Sequence, residues 1–250
     1  THQTYDQQEN KNEVTVFDLF FRQNGIKAYA FNAVSGHRKE IMSVINKATA
    51  EIAEKYADMI IRNTLNEMSK FHGVFLYAPG NHDYDGSVEH HISAQELSDL
   101  FQKPSLTYAN GNLHITEGNC WSYYDIPEKN IRFIILNSQN GETINSYYTF
   151  GNEQLQWLIN ILKQTPKGRD VMVMCHFMPH NIGRWFPATC KKDQTTDDFM
   201  AILSAFANKS KGRSAELQWD FSSSNGTLIG LFTGDSHINN HIVENGVHYF

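Results

Sequence analysis

The chain has 250 residues, 40% of them apolar and 19% charged, with a formal net charge of −6. That size supports a sizeable core without disulfides or structural metals, and the acidic balance with scattered Lys and Arg excludes a general nucleic-acid-binding surface. No apolar run approaches the roughly 20 residues that a membrane-crossing helix needs.

In chain order, short apolar or β-branched runs that end in polar or glycine-rich loops predict strands over Gly25 to Asn32, Gly73 to Pro79, Ile131 to Asn137, Asp170 to His176 and Thr227 to Thr233. Between them, helical periodicity predicts one helix from Arg38 to about Lys70. A second runs from Asn152 to about Gln164, with Leu155, Leu158, Ile159 and Leu162 on one face and Pro166 beyond its end. A third covers Thr196 to Asn208, where Asp197 and Asp198 suit the positive end of a helix dipole. Strands alternating with helices imply an α/β fold whose functional groups sit in loops at strand ends. No repeat, low-complexity tract or proline-rich linker divides the chain, so a single domain over 1–250 is expected. Cys120, Cys175 and Cys190 lack C-x-x-C spacing, which fits reduced thiols and favours a soluble, cytoplasmic protein.

Twelve histidines are a high count for this length and flag a metal or acid/base site without locating it. Position locates it better. Pro79-Gly80-Asn81-His82-Asp83 follows an apolar run directly. Its glycine permits a tight turn, the Asn81 carbonyl is a neutral oxygen ligand, His82 can give a proton to an oxygen at the same site, and Asp83 can orient the imidazole. His176 closes the run Val171-Met172-Val173-Met174-Cys175, and Thr233-Gly234-Asp235-Ser236-His237 again follows a strand, with two ligand types at i and i+2. Taken singly, these segments also read as a polar turn, a hydrogen-bonded core histidine and a β-turn. Together they form a mixed nitrogen and oxygen donor set suited to Mn, Fe, Zn or Mg, and a pair of such ions matches the needs of phosphoryl hydrolysis.

The ordered set resembles the calcineurin-like metallophosphoesterase superfamily, whose motifs run D-x-H, G-D-x-x-D/x-G, G-N-H-D/E, an isolated His and G-H-x-H. Here Thr1-His2 stands at the end of the first, followed by Gly80-Asn81-His82-Asp83, His176 and Gly234-Asp235-Ser236-His237. Asn152-Glu153-Gln154-Leu155-Gln156-Trp157-Leu158 is similar to the family's E-Q-x-x-W-L helix. The resemblance implies a sandwich of two mixed β-sheets flanked by helices, with His2 and His237 on one metal and Asn81 and His176 on the other. It makes His82 the catalytic histidine in the attack of a metal-bound hydroxide on a phosphate mono- or diester.

Three departures accompany it. No aspartate or strand precedes His2, and the run at Tyr249-Phe250 reads as mid-strand, so the resemblance implies a domain longer than this chain at both ends. Asn32-Ala33-Val34-Ser35-Gly36-His37 contains no aspartate to bridge the metals, although one Asp between Asn32 and Ala33 would restore the family's D-x-x-x-G spacing. Asp235 replaces the first histidine of G-H-x-H and offers the second metal a hard oxygen, which shifts preference toward Mn or Mg. The missing bridge keeps a second reading open, a binding or structural module that retains the fold without catalysis. His90, His91 and His180 flank these motifs and read chiefly as surface residues, while Arg184 and Trp185 read equally well as a site cap or an ordinary surface loop.

Overall fold

Hydrophobic runs that are apolar at consecutive positions, rather than at alternate ones, belong in a sheet covered on both faces. The computed structural model describes residues 62–84, 92–139, 150–179, 194–235 and 239–250, and it places three such runs side by side. Strands β3 (Ile131–Ile135), β4 (Asp170–Met174) and β7 (Thr227–Phe232) pair in parallel. Strands β1 (Leu113–Ile115) and β2 (Ser122–Ile126) extend the sheet antiparallel on the β3 side. On the β7 side lie β9 (Val247–Tyr249), parallel to β7, and β8 (Ile242–Glu244), antiparallel to β9. Among the described residues the order is β1-β2-β3-β4-β7-β9-β8, a seven-stranded mixed sheet, beside a two-stranded sheet of β5 (Lys211–Arg213) and β6 (Gln218–Asp220). The fold class is α/β, as the alternation predicts.

Short connections follow local chemistry. Asn245 and Gly246, at φ 51° and 80°, make the two-residue turn between β8 and β9. Two successive positive φ angles are what a type I′ hairpin requires, and Asn-Gly is its favoured dipeptide.

Helix α2 (Asn152–Lys163) crosses from β3 to β4, and α3 (Gln194–Ala207) lies between β4 and β5. The shorter α1 (Ala94–Leu97) precedes both and is entered through a capping box: Ser93 Oγ accepts the Glu96 N–H while Glu96 reaches back to the Ser93 N–H. It continues as π and 3-10 turns through Ser98–Gln102 and Lys103–Tyr108. Residues 62–69 of the long predicted helix are helical, and the remainder of that prediction, like the strand Gly25 to Asn32, lies outside the described residues.

One core unites the sheet with α2 and α3. Leu155, Leu158, Ile159 and Leu162, the predicted face of α2, join Phe199, Ile202, Leu203 and Phe206 of α3 against Ile134, Val171, Val173 and Leu231. Each fully buried aliphatic side chain there contributes roughly 1.5–3 kcal/mol from apolar transfer. Side chains alternate along a strand, so Phe133, Ile135 and Met172 face away from those helices. They are nevertheless 1%, 0% and 0% exposed, so the central strands are covered on both faces. A second cluster holds Tyr84, Ala94, Leu97, Phe101 and Cys120, with Leu65, Met68 and Tyr77 packed against it.

Two expectations need correction. The segment from Gly73 to Pro79 carries no strand ladder among the described residues. Side chains bond its backbone at two residues: Phe75 N–H donates to Ser105 Oγ at 2.7 Å, and Gln102 Nε2 donates to the Tyr77 carbonyl at 3.2 Å. Helix α3 begins at Gln194 rather than Thr196, its first turn fastened by a 2.7 Å bond from Gln194 Nε2 to Asp198 Oδ1.

At the amino end of the parallel strands, Arg132 clamps the cross-strand Asp125 through Nε and Nη2, both at 2.8 Å, and Arg169 Nη1 adds a third contact at 2.6 Å. Burial acts to raise the Asp125 carboxyl, but the two guanidiniums outweigh it and hold it below the ordinary carboxylate range. This ionic clamp leaves the opposite, carboxyl end of the strands to other chemistry. No helix among the described residues is long and apolar enough to cross a membrane.

Candidate metal and catalytic site

In open α/β sheets ligands usually bind beyond the carboxyl ends of the parallel strands. Register brings Ile135, Met174 and Phe232 level. The loops that leave β4 and β7 just beyond carry His176 and Asp235. The Gly234 and Asp235 N–H groups both donate to the His176 carbonyl at 3.1 Å, so the two loops are stitched together by backbone. Their side chains then meet, with His176 Nε2 3.4 Å from Asp235 Oδ1 and side-chain exposures of 12% and 22%. Phe177 stands edge-on to the imidazole, ring centroids 4.7 Å apart.

Gly80 brings the third motif to the same place. A Cβ added there would lie 3.0 Å from both Cε1 and Nε2 of His176, so the backbone at Gly80 rests directly on the imidazole face. Gly80 does not adopt a positive φ. Its value here is this close approach and not the special turn conformation expected from sequence. The chain then enters the 3-10 turn Asn81–Tyr84. Asp83 clamps the start of that turn from both sides: its Oδ2 accepts the Gly80 N–H at 2.8 Å, and its own N–H donates to the Gly80 carbonyl at 3.1 Å. The carboxylate expected to orient the His82 imidazole thus has one oxygen engaged in fixing the turn.

Three segments separated by about a hundred and by about sixty residues therefore converge, carrying Gly80 and the turn after it, His176 and Asp235. The side chains of Asn81 and His82, and residues His2 and His237, lie outside the described residues, as do His90, His91, His180, Arg184 and Trp185. Among the described residues no group of three or more His, Cys, Asp and Glu side chains gathers as a metal cage. His176 and Asp235 form a two-member donor pair. Two ligand atoms about 2.1 Å from one tetrahedral ion stand about 3.4 Å apart, so the spacing of this pair fits a shared divalent cation.

Beneath the turn, the neighbouring titratable groups are held neutral. Burial, with the charge of Asp83 nearby, pushes the Tyr77 phenol well above its usual range, and burial does the same to Tyr84. The Cys120 thiol is pushed up to about 12, chiefly by burial. These groups are scaffold at neutral pH, and none is poised as a nucleophile.

The sequence reading missed the loop that follows β3. Asn137 Nδ2 donates to Tyr84 Oη at 2.8 Å, while Gln154 accepts the Asn137 N–H at 2.8 Å and donates to the Asn137 carbonyl at 2.7 Å. Ser138 Oγ accepts the Phe177 N–H at 3.1 Å. The available signals were a run of polar residues, Asn137-Ser138-Gln139, directly after a fully apolar strand, and a glutamine within the first turn of an amphipathic helix. Compared with known family models, curated proteins and solved structures, the chain matches none.

Proposed function

We propose that the chain is a metal-dependent phosphoesterase of the calcineurin-like type, hydrolysing a phosphate mono- or diester, built as a single domain on a sandwich of two mixed β-sheets flanked by helices. The observation that carries this reading is the meeting of Gly80, His176 and Asp235 at the carboxyl edge of the sheet, since these residues come from three of the ordered motifs that the resemblance rests on. The sandwich is supported by the burial of Phe133, Ile135 and Met172 on the face away from α2 and α3. A soluble, cytoplasmic location goes with the cysteine spacing.

In this reading His176, Asp235 and Asn81 hold one divalent ion, and His2 and His237 hold the other. The Asp235 carboxylate favours manganese through its hard oxygen donor. Bound there, divalent ions would lower the pKa of a water and offset charge on the phosphoryl oxygens. His82 protonates the oxygen that leaves phosphorus, as a general acid held at the start of its turn by the Asp83 clamp on Gly80. The contact between Gly80 and the imidazole limits how closely the His82 turn can approach His176.

Hydrolysis of aryl phosphate mono- and diesters with added Mn, in wild type beside His82→Ala, tests the reading. Turnover that depends on Mn and falls by roughly a hundredfold or more in the variant supports it. Equal rates in the two proteins remove His82 from the mechanism. Absence of turnover in both favours the non-catalytic module, the reading motivated by the lack of an aspartate in Asn32–His37.

A further inference from the structure

We infer that the loop after β3 is a positioning brace, in which Asn137 holds the turn Asn81–Tyr84 and Ser138 holds the His176 loop, so that together they set the spacing between the two. Tyr84 belongs to the apolar cluster of Leu97, Phe101 and Cys120, whereas Phe177 belongs to the cluster of α2, α3 and the sheet. Apolar contact is non-directional, and two separate clusters among the described residues leave the relative placement of their attached loops to the Gly80–His176 contact and to directional bonds.

Those bonds converge on Asn137. Its Nδ2 donates to Tyr84 Oη at 2.8 Å, and its Oδ1 accepts the Gln139 N–H at 3.0 Å, which fixes which way the amide faces. Its backbone N–H and carbonyl are both taken by Gln154, whose Nε2 also donates to the Phe150 carbonyl at 2.9 Å. The side chain and backbone of Asn137 are thus engaged together, and all of Asn137, Ser138 and Tyr84 are buried. Next to it, Ser138 Oγ accepts the N–H of the residue after His176. One short loop therefore grips the turn on one side and the histidine loop on the other.

The consequence for catalysis rests on the phosphoesterase reading: a misplacement of about 1 Å in a reacting group costs roughly a hundredfold in rate, and Tyr84 ends the turn that carries His82. Tyr84, Asn137, Ser138 and Gln154 are positioning residues in this account.

Hydrogen exchange tests the brace independently of any activity. In Tyr84→Phe, which removes a single oxygen, the amides of Gly80 and Asp83 exchange roughly tenfold faster, matching the loss of one buried hydrogen bond, while the α2 amides keep their wild-type protection. Unchanged exchange at Gly80 and Asp83 overturns the inference, and so does loosening spread evenly over α2. The kinetic arm asks for kcat lowered at least tenfold with KM within about twofold, and for Tyr84→Phe combined with Asn137→Ala to cost no more than Asn137→Ala alone. Should wild type show no turnover, the phosphoesterase reading fails while the exchange result still decides the brace.

Discussion

Replacing Gly80 by alanine puts a methyl group where the His176 ring now rests. The added Cβ falls 3.0 Å from Cε1 and Nε2 and 3.1 Å from Cδ2, where ordinary contact begins at 3.4 Å. Backbone or ring must yield by at least about 0.4 Å, and the ring is hemmed by Phe177 and by Asp235. Overpacking of this kind costs roughly 1–3 kcal/mol. A chain of this size loses roughly 2–4 °C in melting temperature per kcal/mol, so a drop of about 5 °C is expected. The assay is thermal unfolding of Gly80→Ala in two backgrounds, wild type and His176→Ala. With the imidazole gone the methyl group has room, and the cost of Gly80→Ala falls below about 0.5 kcal/mol, a coupling that only contacting residues show. The same cost in both backgrounds would refute the contact and, with it, the convergence of the Gly80 and His176 segments.

Arg132→Ala removes the bidentate partner of a carboxylate that is 15% exposed, and urea unfolding at pH 7 is expected to show a loss of about 3 kcal/mol. Because the folded Asp125 carboxyl lies below its ordinary range, the unfolded chain binds more protons between the two values. Its stabilisation is therefore complete above about pH 4 and fades as pH falls through the folded value; Asp125→Asn should lack this share of acid destabilisation, and identical pH curves for the two proteins contradict the clamp. Cys120 is fully buried with its thiol pushed up to about 12, so native protein at pH 8 should resist iodoacetamide at that position, read by peptide mass spectrometry. Rapid native labelling there would count against the packing of the second cluster. Leu158→Ala, at a side chain with no exposure in the main core, should cost roughly 2–5 kcal/mol by the same unfolding assay.

The central strands and α2 were legible because each is long enough for a pattern. The β3 run is buried at all five positions and ends in a polar loop, and α2 shows a clear apolar face. Elements of three residues such as β1, β5 and β8 are too short to show a period. The run from Gly73 to Pro79 looked like a strand because apolar composition reports burial and not the hydrogen-bonding partner, which here includes the side chains of Ser105 and Gln102. At the candidate site, His176 and Asp235 could be named from their places at strand ends. Their mutual distance, the reason Gly80 is a glycine, and the bonds from Asn137 to Tyr84 and Gln154 could not. Those depend on contacts between residues from 17 to 96 positions apart, and no local pattern encodes such pairings.

Manganese stoichiometry tests the account most directly. Titration of the chain with Mn, followed by calorimetry, should reach about two ions per chain, as a two-metal hydrolase requires, with the affinity for one of them lost in both His176→Ala and Asp235→Ala. No binding by wild type, or binding that both variants retain unchanged, would contradict the claim that the strand-end loops of β4 and β7 form a metal site.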